Sequence, residues 1–331
     1  MTTFSAFRIH HDGNGHRAGL EQIDTDALTP GELLVKVAYS SVNYKDALAG
    51  SGKGRILRQY PLNGGIDVAG HVVASADPQF REGDAVLCTG SGLSETRDGG
   101  YAEYARLDSR WTIPLPDGLT LRESMILGTA GFTAALALLH MLDNGQTPAL
   151  GPIAITGASG GVGQLAIDIF SRAGYAVHAI SGKAAHFDFL KSLGAAECID
   201  RHALAFSGKP MDSVRFGGAL DNVGGATLAG LLPLVAPYGN VALCGNAGGI
   251  AFESTVMPFI IRGVNLLGVA SAGTARPQRE RVWRQLAGDW KPRHLERIAT
   301  REATLDGLPA VFERMLAGDS FGRTVVRVAG G

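Results

Sequence analysis

The sequence predicts an α/β protein in which a doubly wound parallel sheet accompanies a β-rich lobe. Three observations predict it. The chain has 331 residues, more than one ordinary domain of about 100–200 residues holds. From Gly151 onward, apolar strand-like runs alternate with helix-periodic ones, the pattern of a parallel sheet covered on both faces. Ahead of Leu121 the runs are short, strand-like and bounded by Gly and Pro, which suits a small barrel or crumpled sheet.

In the first lobe, residues 1–125, the strand-like runs are ELLVKVAYSSVNY from Glu32, DVAGHVVAS from Asp67 and the stretch after the Gly-Asp turn of REGDAVLCTG. LRESMILGTAGFTAALALLHML, from Leu121, is apolar and helix-forming, and the breaker stretch Asp143–Pro152 follows it. The second domain is expected over 126–271. It opens with strand, glycine turn and helix in PIAITGASGGVGQLAIDIFSRAGY, then the strand AVHAIS and the helix HFDFLKSLGA. GALDNV, GNVALCGN and VNLLGVAS read as its further strands. Residues 272–331 return to the first lobe through the polar helix RPQRERVWRQLAG and the strand-like end FGRTVVRVAG.

Composition narrows the function. Hydrophobic residues make up 45% and charged residues 18%, with mean hydropathy +0.10, a balance that fills large cores. Net charge is −1 and no block of five or six like charges occurs, so no nucleic-acid or membrane surface is expected. No stretch of roughly 18 apolar residues is read and Met1 to Gly15 is polar, so a cytoplasmic protein is expected. Cys88, Cys198 and Cys244 are isolated, which argues against a disulfide framework or a cysteine zinc knot. They read as buried, inert thiols.

The chemistry begins at TGASGGVG, where Gly157, Gly160 and Gly163 are spaced by three between an apolar strand and a helix. Glycine there permits a tight turn and close approach of a pyrophosphate to backbone N–H groups at a helix N-terminus, the Rossmann arrangement. Ser159, Gly160, Gly161 and Val162 would supply donors. An acidic residue about twenty positions on would take the adenosine ribose of NAD; here the second strand ends in Ser181, Gly182 and Lys183. A hydroxyl, an open backbone and a cation suit a 2′-phosphate, so NADPH is expected. Arg201 is either a second cation for that phosphate or a solvated loop residue.

Several longer motifs accompany this turn: SSVNYKDALAGSGKGRI from Ser40, GGIDVAG from Gly64, DGGYAEYARL from Asp98, GTAGFTAALAL from Gly128, TVMPFIIRG from Thr255 and GRTVV from Gly322. With them the chain resembles, over nearly its whole length, the zinc-independent quinone-oxidoreductase branch of the medium-chain dehydrogenase/reductase superfamily, and within it the acrylyl-CoA reductase group. The resemblance implies a GroES-like catalytic domain on a Rossmann domain, a homodimer, and NADPH in the cleft of each subunit. It also implies reduction of a 2-enoyl-CoA, acrylyl-CoA to propionyl-CoA. The alternative on the same scaffold is reduction of a quinone or free enone. Lys183 stands where arginine is usual in this group, which keeps the charge and loses the bidentate fork. Zinc-bearing relatives place a cysteine where Asn43 stands and add a four-cysteine lobe; neither is present, so no metal is expected.

Reduction of an enoyl thioester needs a hydride at the β-carbon, stabilisation of the developing enolate and a proton at the α-carbon. The resemblance sets Asn43, Tyr44, Lys45 and Asp46 against the nicotinamide. Tyr44 would contact the cofactor, deliver the proton, or simply pack. Asn43 would bind the nicotinamide or substrate carbonyl, or hold a local turn. Lys45 would lower the phenol pKa, or pair with Asp46 or a distant acid. Lys53, Arg55 and Arg58 would meet CoA phosphates or form a solvated loop. Asn222, near a strand end, is the remaining candidate, as a nicotinamide-side or ribose contact.

Overall fold

A computed structural model of the protein describes residues 2–13, 15–204 and 206–328 and divides into two compact units. One unit runs up to Thr129 and includes Ala272–Trp283 and the chain from Leu295; the other comprises Ala130–Ser271 and Arg284–His294. The division falls four residues after the boundary read from the sequence, and Arg284–His294, expected with the return segment, groups with the second unit.

The first unit opens on a hairpin of β1 (Thr3–Asp12) and β2 (Gly15–Asp24), paired in register from Thr3↔Asp24 to Asp12↔Gly15. β3 (Leu33–Ser41), α1 (Tyr44–Ser51), β4 (Leu62–Asn63), β5 (Asp67–Ser75), β6 (Ala85–Thr89), β7 (Tyr104–Leu107) and β8 (Ile113–Pro114) follow. β3 alternates in the manner of a sheet with one buried face: Leu33, Val35 and Val37 are inaccessible and Lys36 is exposed between them. These side chains pack with Val68, Val72, Val86 and Leu107. α2 (Leu121–Asp143) bends at Gly128, whose φ of +48 is non-helical.

By length and composition α2 could cross a membrane, which corrects the reading that no such stretch exists. Its most apolar window is 83% buried, as in a core helix. The difference arises because Gly, Thr and Ala interrupt the apolar residues without removing the hydropathy of the run.

Among the described residues of the second unit, six parallel strands form one sheet. They are β9 (Ile153–Ile155), β10 (Val177–Ser181), β11 (Ala195–Asp200), β12 (Gly218–Asp221), β13 (Asn240–Leu243) and β14 (Asn265–Gly268). Between them lie α3 (Gly161–Arg172), α4 (Phe187–Ser192), α5 (Gly225–Leu231) and α6 (Met257–Arg262). The strand order is β11-β10-β9-β12-β13-β14, which reverses beside β9, the point where doubly wound sheets bind ligands. β9 is buried at every position and α3 is buried from Gly163 to Phe170, so both read as apolar runs.

The return comprises α7 (Arg276–Ala287), α8 (Leu295–Ile298), β15 (Arg301–Ala303), α9 (Leu308–Leu316) and β16 (Thr324–Arg327). β16 pairs with β3 on one side and β15 on the other, so the return adds two strands to the first unit's larger sheet. The end of the strand-like run from Phe321, residues 329–330, lies outside the described residues. α9 packs on α1 so closely that a Cβ on Gly50 would meet the Phe312 ring at 2.3 Å. The catalytic segment expected at the start of α1 is thus braced from its far end.

Cys88 is buried, but Cys198 and Cys244 are only partly so. This corrects the reading of three buried thiols. Burial still holds Cys88 and Cys244 at about 12 and raises Cys198, and such thiols are poor nucleophiles.

Candidate active site

The glycine turn rests on backbone geometry that only glycine meets. Gly157 has φ +57, in the left-handed region. At Gly163 a Cβ would stand 2.5 Å from Gly157 O and 2.6 Å from Ala158 Cα, so α3 and the turn meet backbone to backbone. Gly160 is the N-cap of α3, with φ −81 and ψ 174. The amides of Gly161, Val162 and Gly163 then start the helix, where no intrahelical carbonyl takes them. With the helix's positive end they make a seat for an anion.

The turn is pinned from β12. Thr156 Oγ1 donates to Asp221 Oδ1 at 2.6 Å and accepts the Asn222 N–H at 2.9 Å. Asn222 Nδ2 donates to Thr156 O at 2.7 Å, and its Oδ1 accepts the Cys244 thiol at 2.9 Å. Both ends of the Asn222 carboxamide thereby make a bond inside this unit, holding the turn. Burial raises the Asp221 carboxyl, opposed by the bonds from Thr156, Gly224 and Val223.

The end of β10 gathers the expected 2′-phosphate residues. Ser181 is buried; its hydroxyl donates to Ser159 Oγ at 3.1 Å and accepts the Lys183 N–H at 3.1 Å. The Arg201 N–H donates to Ser181 O at 3.1 Å. Its guanidinium lies against Gly182, where a Cβ would come within 2.5 Å of Nε. Ser159, Ser181, Gly182, Lys183 and Arg201 are therefore neighbours at one sheet end, although Arg201 is 18 or more positions distant in sequence from the others of β10 and its turn.

In the first unit, β3 delivers the chain to Asn43 and α1 starts at Tyr44. Tyr44 is 50% exposed. Lys45 forms an ion pair with Glu95, the distant acid among its expected alternatives; burial lowers its ammonium, Asp46 raises it and Arg58 lowers it. Lys53, Arg55 and Arg58 are exposed on the following loop.

Beneath this segment lies a charged cluster that sequence reasoning missed. Asp46 Oδ2 accepts the Asn43 N–H at 2.8 Å and Asn43 Nδ2 at 3.2 Å, and Oδ1 accepts the Ile66 N–H at 2.9 Å. Asp67 Oδ2 accepts Asn43 Nδ2 at 2.8 Å and Ser41 Oγ at 2.5 Å, and Oδ1 accepts Thr129 Oγ1 at 2.6 Å. Arg323 donates to Ile126 O, Val42 O, Asn43 Oδ1 and Ser41 Oγ at 2.7–3.1 Å, and stands 4.0 Å from Asp67. A Cβ on Gly128 would strike Asp67 Oδ2, Ser41 Oγ and Arg323 Nη2 at 2.6–2.8 Å. Burial and the Asp67 charge push the Asp46 carboxyl up to about 7, against the bonds from Asn43 and Ile66. Burial pulls the Arg323 guanidinium down, and Asp67 and Asp46 oppose it. The available sequence signal was a carboxylate inside an apolar strand run, since an ion is rarely buried without partners.

The chain and its fold match known proteins. Residues 29–117 match the alcohol dehydrogenase GroES-like domain and residues 161–288 the zinc-binding dehydrogenase domain. The chain is 42% identical over 329 residues to a putative quinone oxidoreductase of Bacillus subtilis, covering 99% of both chains. It is also 42% identical to the acrylyl-CoA reductase of Ruegeria pomeroyi, covering 98% of this chain and 99% of that one. A crystal structure of the Escherichia coli protein YhdH with bound NADPH superposes with TM-score 0.94 at 40% identity, covering 98% of this chain and 100% of that one. A B. subtilis relative solved with NAD bound gives TM-score 0.95 at 42% identity, covering 99% and 100%. The chain belongs to the quinone-oxidoreductase branch of the medium-chain dehydrogenase/reductase superfamily, and it is an oxidoreductase with a Rossmann sheet and a GroES-like domain.

The zinc of the second domain's family does not fit this chain. Among the described residues no group of three or more His, Cys, Asp or Glu side chains could hold a metal ion. Asn43 and Asp67 are engaged with each other and with Arg323. The glycine turn, by contrast, fits a dinucleotide: it ends at the start of α3, whose first amides take no intrahelical carbonyl.

Proposed function

We propose that this oxidoreductase reduces the carbon–carbon double bond of a 2-enoyl-CoA with NADPH, converting acrylyl-CoA to propionyl-CoA. The observation that carries the substrate is the near full-length likeness to the acrylyl-CoA reductase of R. pomeroyi. NADPH would be held by Gly157–Val162 at its phosphates and by Ser181, Lys183 and Arg201 at the 2′-phosphate, and when bound it supplies hydride for the β-carbon. A proton from solvent or a side chain completes the product at the α-carbon. Rates of NADPH oxidation with acrylyl-CoA, crotonyl-CoA, quinones and free enones test the reading: acrylyl-CoA is expected to give the highest kcat/KM. A quinone or enone exceeding it would favour the second reading, for which the likeness to the B. subtilis protein speaks.

The cofactor assignment makes its own prediction. Lys183→Ala is expected to raise KM for NADPH about tenfold, the scale of one charge-assisted contact, and to leave KM for NADH nearly unchanged. Equal effects on both cofactors would exclude a 2′-phosphate at this strand end.

Tyr44 would position the nicotinamide more than protonate the enolate. Its supposed activator, Lys45, is committed to Glu95, and an enolate takes a proton readily from water once hydride geometry is met. Tyr44→Phe is expected to weaken NADPH binding several-fold while the saturated rate changes less than about tenfold. A fall in saturated rate of about 10²-fold with unchanged binding would make Tyr44 the general acid instead.

A homodimer accompanies this reading. β14 is an edge strand of the parallel sheet, and Ile260 and Ile261 on the preceding α6 are 68% and 62% exposed. Unpaired edge groups beside exposed apolar side chains are satisfied by a two-fold mate. Light scattering at micromolar concentration is expected to give twice the 34.5 kDa chain mass; the monomer mass would contradict it.

A further inference from the structure

We propose that Asp46 is a positioning residue of the reductase: its ionised carboxylate clamps Asn43 to Ile66 and so sets the start of α1, where Tyr44 stands. The inference rests on the reading that α1 carries the catalytic segment. Its basis is geometric. One oxygen of Asp46 takes the backbone and side-chain N–H groups of Asn43, and the other takes the Ile66 N–H ahead of β5. A single buried carboxylate, 2% exposed, thus ties two chain segments that the sequence separates by 20 positions.

Asn43 cannot replace it as the organiser. Its Nδ2 is shared by Asp46 and Asp67 and its Oδ1 accepts from Arg323, so both ends of the carboxamide are engaged within the cluster. This makes Asn43 the bridge between two acids, and Asp46 the acid that touches the helix start. The groups that act on Asp46 are Asp67 on β5, Tyr101 ahead of β7, Lys45 beside it on α1 and Arg323 ahead of β16. From α9 the neighbour of α1 is the apolar Phe312.

Every partner named above for Asp46 presents a donor, so the carboxylate is the form that holds the segment and protonation loosens it. Its elevated pKa, set by burial and Asp67, brings this change into the working pH range. The rate should therefore rise with pH through about 7 as Asp46 loses its proton, and level off above. Asp46→Asn keeps the shape but puts an amide where two donors converge, or turns that amide onto the Ile66 N–H.

The experiment measures NADPH oxidation at saturating substrate from pH 5.5 to 8.5, the NADPH dissociation constant, and amide exchange of the peptide spanning residues 43–51. For Asp46→Asn, NADPH affinity is expected to weaken several-fold, as for Tyr44→Phe, kcat to fall about fivefold, the limb near pH 7 to vanish, and exchange at 43–51 to accelerate while that of 156–172 does not. Asn43→Ser provides a second test. Removing the shared donor leaves Asp46 more exposed to the charge of Asp67, and the limb is expected to move about one unit to higher pH. An Asp46→Asn enzyme with wild-type kcat and an intact limb overturns the proposal, as does unchanged exchange at 43–51. A wild-type protein that oxidises NADPH with none of the substrates refutes the reductase reading instead, and exchange still judges the clamp.

Discussion

Arg323→Met is expected to cost about 3–5 kcal/mol of stability, the scale for removing one partner of a buried ion cluster. Arg323 is 3% exposed and its donors reach Ile126 O, Val42 O, Asn43 Oδ1 and Ser41 Oγ. Methionine fills most of the volume but donates nothing, so buried carbonyls lose their partner at about 1–3 kcal/mol for each that stays dry. The larger loss is electrostatic, because Asp46 and Asp67 remain buried without the guanidinium that opposes their charge. The melting temperature should fall by roughly 10 °C or more, read by calorimetry together with urea unfolding. Arg323→Lys should recover only part, since an ammonium carries the charge without the planar fork that reaches four acceptors at once. A Met variant within 1 kcal/mol of the parent would mean that the cluster is neutralised by proton uptake.

The comparison of sequence with structure turns on how far apart the partners lie. The glycine turn was legible because its requirements are local: Gly157, Gly160 and Gly163 stand within seven positions, flanked by the strand and helix they join. Ser181, Gly182 and Lys183 were legible as a strand end for the same reason, being consecutive. The Arg323 to Val42 bond spans 281 positions and the Ser41 to Asp67 bond 26, and no periodicity records either. Asn43 and Asn222 show a second limit. Both lie near strand ends, but whether a carboxamide faces a ligand or its own scaffold depends on neighbours that only folding supplies. Here Asn43 faces two acids and an arginine, and Asn222 faces Thr156 and Cys244. The strand β11 escaped notice because Glu197 and Cys198 break its apolar run, and its place in the sheet comes from pairing with β10. The β1–β2 hairpin was overlooked because His10, His11 and Asp12 obscure the alternation of Phe4, Ala6 and the residues after them.

Gly163→Val is expected to weaken NADPH binding by 10²-fold or more, about 2.7 kcal/mol, and to do so without touching any side chain of the site. The distances set the direction. A Cβ at 2.5 Å from Gly157 O and 2.6 Å from Ala158 Cα meets backbone on both sides, and neither atom can rotate away as the end of a side chain would. Relief requires α3 to move outward from the turn, which carries the amides of Gly161 and Val162 away from the place where they converge. Valine's two further methyls enlarge the shift. Alanine at 163 should show the same effect in smaller measure, since it demands only the Cβ displacement. Gly160 is a useful contrast: its φ of −81 is open to any residue and a Cβ there meets only Gly157 O, at 3.3 Å. Gly160→Ala should therefore fold with little strain and lose affinity only if a phosphate needs the space that the methyl takes, which is the role a glycine at the approach point serves. Titration of NADPH fluorescence separates these cases. Binding by Gly163→Val within threefold of the parent would remove the phosphates from this turn, and with them the placement of the cofactor on this sheet.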